Sequence, residues 1–191
     1  MTKEVLNTIE EAKKFYSTWA KSAHPVFKNK RFSLIEKDDF HVVEYHKKQV
    51  IVLPIFEDHS IIMPKVKRHI LGGATWELPA GGIKDGESEE EGALRELREE
   101  TGISIYDISS LKKETTLIVS QNRLPMFLSI FSIKVGVDEF KQRNQHDHEV
   151  ESVSSFTFDK IKEMITTGQI FTSITISILA RFLLSREIVS I

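Results

Sequence analysis

Cysteine is absent from this 191-residue chain, which excludes disulfides, thiolate nucleophiles and cysteine-ligated metals together. An excess of one charge is absent as well: 26 basic residues face 28 acidic ones, a net charge of −2. A protein that grips nucleic-acid phosphates would be visibly basic, and a disordered chain would be poorer in apolar residues than the 40% found here. Long apolar runs are missing too. The longest, Val50 to Phe56, falls far short of the roughly 20 residues that span a bilayer. The N-terminus, Met1 to Val5, runs into a charged amphipathic stretch without the apolar region of a secretory signal. Neither nucleic acid nor membrane is expected as a partner, and a cytoplasmic location is expected. The length fits one domain with a small appendage.

Along the chain, Val5, Ile9, Ala12, Tyr16 and Trp19 recur at helical spacing, which predicts a helix over 3–23 that docks on the domain or on a partner subunit. His24-Pro25 ends that pattern. Strand-like segments follow near 31–36, 40–46, 49–56 and 60–64, then a glycine-rich stretch around Gly72-Gly73 and Gly81-Gly82. An acidic helix is predicted over 88–101, further strands at 114–120, 126–135 and 150–157, and a polar loop at 138–148. Two helices close the chain at 159–167 and 172–186, with Gly168 as a C-terminal cap between them. Strands on both sides of a central helix give an α/β or α+β class with a mixed sheet.

Most of the chemical information lies in the acidic helix. Ser88 and Glu91 form a capping box, Glu89 to Glu91 suit the positive end of the helix dipole, and Gly102 ends the helix. Those features are structural. The second half is harder to explain structurally: Glu96 and Glu100 share a face with Glu99 beside them, where like charges repel. Arg95 can bridge to Glu99 and Arg98 offers a second partner, yet Lys84 to Glu100 holds eight acidic and three basic residues, a local charge of −5. A bare carboxylate cluster in a balanced chain points to a hard divalent cation such as Mg²⁺, with a merely solvated acidic face as the bland reading.

The spacing decides between them. Gly81, five residues, Glu87, seven residues, Arg95-Glu96-Leu97, one residue, Glu99-Glu100, one residue, Gly102-Ile103 resembles a complete Nudix box over 23 residues. With seven fixed residue types and two aliphatic positions, a chance match is on the order of one in a million. The preceding Trp76-Glu77-Leu78-Pro79-Ala80-Gly81-Gly82 and the N-terminal extension are similar to the ADP-ribose and nucleotide-sugar pyrophosphatases of that family.

The resemblance implies an α/β/α sandwich around a mixed β-sheet, with a helix-and-strand extension over 1–48 and the Nudix domain over 49–191. It implies Mg²⁺, with Mn²⁺ as a substitute, held by Glu96, Glu100 and the backbone carbonyl of Ala80. Glu99 would be a further ligand or a partner held by Arg95, and Gly81 and Gly82 would let metal and diphosphate approach the backbone. The general base is expected in the 146–153 loop, where Glu149 fits best, with Asp147 and Glu151 as neighbours and Glu99 as the rival. Arg68 would steady a phosphate or terminal ribose. Phe27, Phe32 and Phe40 are candidates for stacking an adenine, each also suited to a core. His146 and His148 lack a third ligand nearby, which argues against zinc.

Two segments depart from the subfamily pattern: Val66-Lys67-Arg68 keeps only its arginine, and Ser120 to Pro125 replaces a Ser-Pro-Gly-like segment. The implied reaction is hydrolysis of a nucleoside diphosphate sugar such as ADP-ribose to a nucleoside monophosphate and a sugar phosphate, by a homodimer. The alternatives are action on nucleoside triphosphates or dinucleotides, or a non-catalytic nucleotide-sensing module.

Overall fold

Period-two apolar patterning builds the centre of the molecule. The structure, a computed structural model, describes residues 8–57 and 59–189. The N-terminal part holds helix α1 (Ile9–Lys21) and strands β1 (His24–Lys28), β2 (Phe32–Lys37) and β3 (Phe40–Tyr45). Strands β4 (Gln49–Phe56), β5 (Ile61–Arg68), β6 (Gly73–Trp76) and β7 (Ala80–Gly82) lead into helix α2 (Glu89–Thr101). Strands β8 (Leu111–Lys113), β9 (Leu117–Ser120) and β10 (Leu124–Val135) follow, then the short helix α3 (Val137–Lys141) and strand β11 (Val150–Phe156). Helices α4 (Phe158–Thr166) and α5 (Ser173–Val189) close the described chain.

Strands β1, β2 and β3 form one antiparallel sheet. The main sheet has the order β11-β5-β4-β10-β8, with β6 on β5, β7 on β4 and β9 on β10. It is mixed, because β4 and β10 run parallel while β5 and β11 pair antiparallel. Successive residues of a strand face opposite sides, and here both sides are buried. Val50, Val52, Ile62, Phe131 and Ile133 face α2 through Ala93, Leu94 and Leu97. Ile51, Leu53, Ile61, Met63 and Ile130 face α4 and α5 through Ile161, Met164, Ile178 and Leu179. The result is the α/β/α sandwich expected from the sequence.

Capping follows the sequence closely. Ser88 Oγ accepts from the Glu91 N–H while Glu91 accepts from the Ser88 N–H, and Gly102 and Gly168 sit at φ of 76° and 74°. Thr8 and Glu11 cap α1 in the same way. The predicted start of that helix at residue 3, with Val5, lies outside the described residues.

Several elements differ from the sequence reading. His24-Pro25 opens β1, an edge strand that tolerates a residue without an N–H. Within the glycine-rich stretch, β6 and β7 are strands because β5 and β4 offer them paired backbone. The 138–148 loop begins within α3, and β8 precedes the predicted 114–120 strand.

Gly102 joins two parts of the fold. Its carbonyl accepts from the Asn144 N–H at 2.8 Å, and a methyl on its Cα would run into the Asn144 carbonyl. Gly102→Ala therefore combines a left-handed backbone penalty of about 1–2 kcal/mol with displacement of the 142–149 loop. The expected outcome is a lower denaturant midpoint together with lost activity, whereas unchanged unfolding would contradict this account.

Candidate active site

The site is organised around one arginine. Arg95, on α2, donates from Nε to Glu87 Oε1 at 2.8 Å and from Nη2 to Glu87 Oε2 at 3.0 Å. Nη2 also reaches the Gly82 carbonyl at 2.8 Å, while Nη1 bonds Glu96 at 2.6 Å and Glu99 at 2.9 Å. These bonds tie the loop before α2, the β7 strand and the acidic face of the helix to a single guanidinium, whose acidity is lowered further by its glutamate partners. The same bonds hold the Glu87 carboxyl down at about 2, chiefly through Arg95. Lys84 Nζ adds a bond to Glu99 at 3.1 Å, and the Lys84 N–H donates to Glu87. Arg98, expected as a second partner, is exposed and makes no side-chain ion pair among the described residues.

Strand β7 brings the glycines against the helix. Val50 pairs with Gly81 and Ile51 with Ala80, so the strand is fixed before it meets α2. A methyl at Gly81 would collide with the Glu96 carboxylate; here close approach, not backbone angle, requires glycine. Glu96 is only 8% exposed, and its burial raises its carboxyl above the ordinary range. Glu100 accepts from the Ala80 N–H at 3.2 Å, and burial, aided by the neighbouring Glu96, pushes its carboxyl up to about 8. A buried Glu96 and a half-buried Glu100 that repel each other beside β7 form a hard, oxygen-only pair of donors, which suits a divalent cation. No three acidic or histidine side chains converge into a finished cage among the described residues, since Arg95 engages Glu96 and Glu99.

A cavity of about 780 Å³ opens beside Ala80 and is also lined by Arg31, Lys67, Arg68 and Glu149. Of the three loop carboxylates, Asp147 accepts from the His148 N–H and ring at 2.6 Å and Glu151 pairs with Lys65 at 3.2 Å. Glu149 instead lines the cavity, and its carbonyl accepts from the Lys67 N–H at 2.8 Å. The loop is anchored on α2, because the Asp147 N–H donates to the Glu99 carbonyl at 2.7 Å. His146 and His148 both turn onto Asp147.

Arg68 is placed in the cavity, but two nitrogens of its fork are engaged: Nε and Nη2 each bond Glu77 at 2.7 Å. Thr75 Oγ1 also bonds Glu77. Sequence reading gave Glu77 no role, since its pairing with Arg68 is created by the antiparallel β5–β6 pair. It also missed Arg31, at the β1–β2 turn, whose side chain makes no ion pair among the described residues and lines the cavity. Phe27, Phe32 and Phe40 are not among the cavity's lining residues; Phe27 and Phe32 pack against each other at a tilt, with ring centroids 5.8 Å apart, in the N-terminal sheet.

A profile of the NUDIX domain matches residues 45–172, two thirds of the chain. The chain belongs to the NUDIX family. It is 32% identical over 127 residues to an ADP-ribose pyrophosphatase of Bacillus subtilis (strain 168), covering 66% of each protein. It is 34% identical over 94 residues to the ADP compounds hydrolase NudE of Escherichia coli (strain K12), covering 48% of this chain and 44% of that one. The chain thus spans just under two thirds of the first relative and less than half of the second. The crystal structure of an ADP compounds hydrolase superposes with a TM-score of 0.60 at 17% identity, covering 87% of this chain and 93% of that one, which shows the shared NUDIX fold.

The Glu87–Arg95 clamp carries a pH-dependent share of stability. A carboxyl held near 2 in the folded state and at its ordinary 4.5 in the unfolded state stabilises the fold above pH 4.5. That contribution fades as pH falls toward 2. Glu87→Gln should cost about 1–3 kcal/mol at neutral pH. In urea unfolding, the gap from the wild type should narrow steadily between pH 4.5 and 2; a gap independent of pH would remove the charged clamp from the account.

Proposed function

We propose that this NUDIX protein hydrolyses the diphosphate linkage of ADP-ribose or a related nucleoside diphosphate sugar, releasing a nucleoside monophosphate and a sugar phosphate. The observation that carries the reading is the seating of Glu96 on Gly81 and of Glu100 on Ala80 at the edge of a cavity that Glu149 lines. The names of the relatives, an ADP-ribose pyrophosphatase and an ADP compounds hydrolase, support the substrate class.

In this reading Glu96, Glu100 and the Ala80 carbonyl would hold Mg²⁺, for which Mn²⁺ could substitute, with Glu99 as a further ligand or as a partner that Arg95 holds in place. Bound there, such an ion would supply positive charge against the phosphates and lower the pKa of a water. Arg95 positions Glu96 and Glu99 on the inner face of α2. Gly81 and Gly82 leave the backbone open to a diphosphate. Glu149 takes the proton of the attacking water as its oxygen bonds to phosphorus and the phosphorus–oxygen bridge breaks. Arg31 supplies an unpaired guanidinium for the diphosphate charge, and Arg68, preorganised by Glu77, presents its remaining Nη1.

The extension over 1–48 is read as the dimer-forming part. Helix α1 buries none of its residues within the single chain, and Phe15, Phe27, Phe40 and Tyr45 are exposed. No helix among the described residues is long and apolar enough to cross a membrane.

Purified protein with Mg²⁺ is to be offered ADP-ribose, GDP-mannose, ADP-glucose, NADH, diadenosine polyphosphate and nucleoside triphosphates, with phosphatase-coupled detection. Preference for a nucleoside diphosphate sugar is the expected result, and a preference for triphosphates or no turnover would overturn the reading. Glu96→Gln and Glu100→Gln should each remove most turnover while the fold persists. Glu149→Gln should lower kcat by about 10²–10⁴-fold with little change in KM, whereas Asp147→Asn and Glu151→Gln stay mild. If Glu99→Gln produces the kcat loss instead, Glu149 is not the base.

A further inference from the structure

The cavity continues past Glu149 to the start of α5, where the box chemistry has no use for it. Thr172 precedes that helix, and its hydroxyl oxygen is buried without a hydrogen-bond partner. Its carbonyl accepts the helix's first i→i−4 bond, from the Ile176 N–H at 3.0 Å. The N–H groups of Ser173, Ile174 and Thr175 therefore have no acceptor within the helix, and the usual remedy, an N-cap side chain, is not applied. One turn in, Thr175 is 4% exposed, lines the same cavity and makes no side-chain hydrogen bond among the described residues. A buried hydroxyl left unpaired costs about 1–3 kcal/mol, a cost the Thr172 oxygen carries, and Thr175 brings a second hydroxyl without a protein partner among the described residues to the same wall.

We propose that this wall is a subsite for the sugar of the substrate that is not part of the nucleoside. The assignment rests on the reading of the chain as a hydrolase of nucleoside diphosphate sugars and gives one half of that substrate a place. Hydroxyls both donate and accept, as sugar hydroxyls do, and the free N–H groups of α5 add donors for sugar oxygens. Ile174 and Ile178 line the same cavity and offer aliphatic surface to the C–H face of a sugar ring. A nucleobase is a poor match, because no phenylalanine, tyrosine or tryptophan is among the described residues that line the cavity. A phosphate is a poor match for Thr172 and Thr175 themselves, which are neutral, while Lys67 and Arg68 sit on β5.

The test separates the two halves by binding rather than by turnover. With Mg²⁺ present, calorimetry measures ribose 5-phosphate and AMP separately on the wild type, Thr175→Val, Thr175→Ser and Thr172→Val. Valine keeps the shape of threonine and removes the hydroxyl. Thr175→Val should weaken ribose 5-phosphate about five-fold, the worth of one neutral hydrogen bond. AMP should move by less than two-fold, and Thr175→Ser should hold ribose 5-phosphate near the wild-type affinity. Thr172→Val should give the same selective loss, which keeps the test open if Thr175→Val fails to fold. Equal weakening of both probes, or unchanged ribose 5-phosphate in both valine variants, would overturn the subsite. So would a wild type that binds AMP and not ribose 5-phosphate. A wild type that binds ribose 5-phosphate with the selective valine losses, yet releases no AMP from any nucleotide sugar, keeps the subsite and overturns the hydrolase reading.

Discussion

Three of the glutamates at this site depend on the Arg95 guanidinium. Burying Glu96 against Gly81 would be prohibitive for an unpaired carboxylate, since a buried charge needs both a counter-charge and hydrogen bonds. Arg95 provides both to three glutamates and a backbone carbonyl at once, with its planar fork meeting Glu87 two-pronged. A lysine could not reproduce this, because a point charge with three donors lacks the fixed fork. The clamp also has a topological effect. Glu87 lies before the helix, Gly82 in β7 and Glu99 near the helix end, so one side chain sets where the loop, the strand and α2 sit relative to one another.

The far end of α2 does a second job. Its last turn offers the Glu99 and Gly102 carbonyls, and the 142–149 loop uses both to anchor Asp147 and Asn144. From there Lys67 of β5 takes over, binding the Glu149 carbonyl through its N–H and the His148 carbonyl through Nζ. The loop is thus tied down by backbone bonds on both sides of Glu149 while that residue's side chain faces the cavity. Neighbouring carboxylates are spent on local partners, Asp147 on His148 and Glu151 on Lys65. Of the three adjacent acids, Glu149 alone has a carboxylate without a side-chain partner among the described residues.

What could be read from the sequence divides along the range of the interactions. Helix α2 was legible to its caps because Ser88, Glu91 and Gly102 act within one turn of themselves. Strands β4 and β10 were legible because each carries its own apolar run, buried on both faces. The short strands β6 and β7 were not, because three or four residues rich in glycine are strands only when β5 and β4 lie beside them. The site behaves alike. The spacing of Glu87, Arg95, Glu96, Glu99 and Glu100 is local and was readable as a unit. The Glu77 grip on Arg68 and the arrival of Arg31 from the β1–β2 turn are products of tertiary pairing, with no signal in the residues themselves.

The same distinction explains why the far wall of the cavity carries no sequence signature. Thr172 and Thr175 read as an ordinary helix start, and a threonine in that place would normally be assigned to capping. Their meaning comes from what they fail to do: Thr172 leaves its N-cap bond unmade, and Thr175 is buried without a bond of its own. A helix that could have satisfied its own terminus with the Thr172 side chain, and instead leaves that bond unmade, gives up stability there. Strain of that kind is tolerated where a ligand relieves it. In the proposed reading the chemistry lies at Ala80 and Gly81, so discrimination among substrates has to come from the ground beyond them. In the proposed reading that ground is the hydroxyl-bearing start of α5, with no phenylalanine, tyrosine or tryptophan among the described lining residues, while Arg31, Lys67, Arg68, Glu77 and Glu149 bring charge to the cavity.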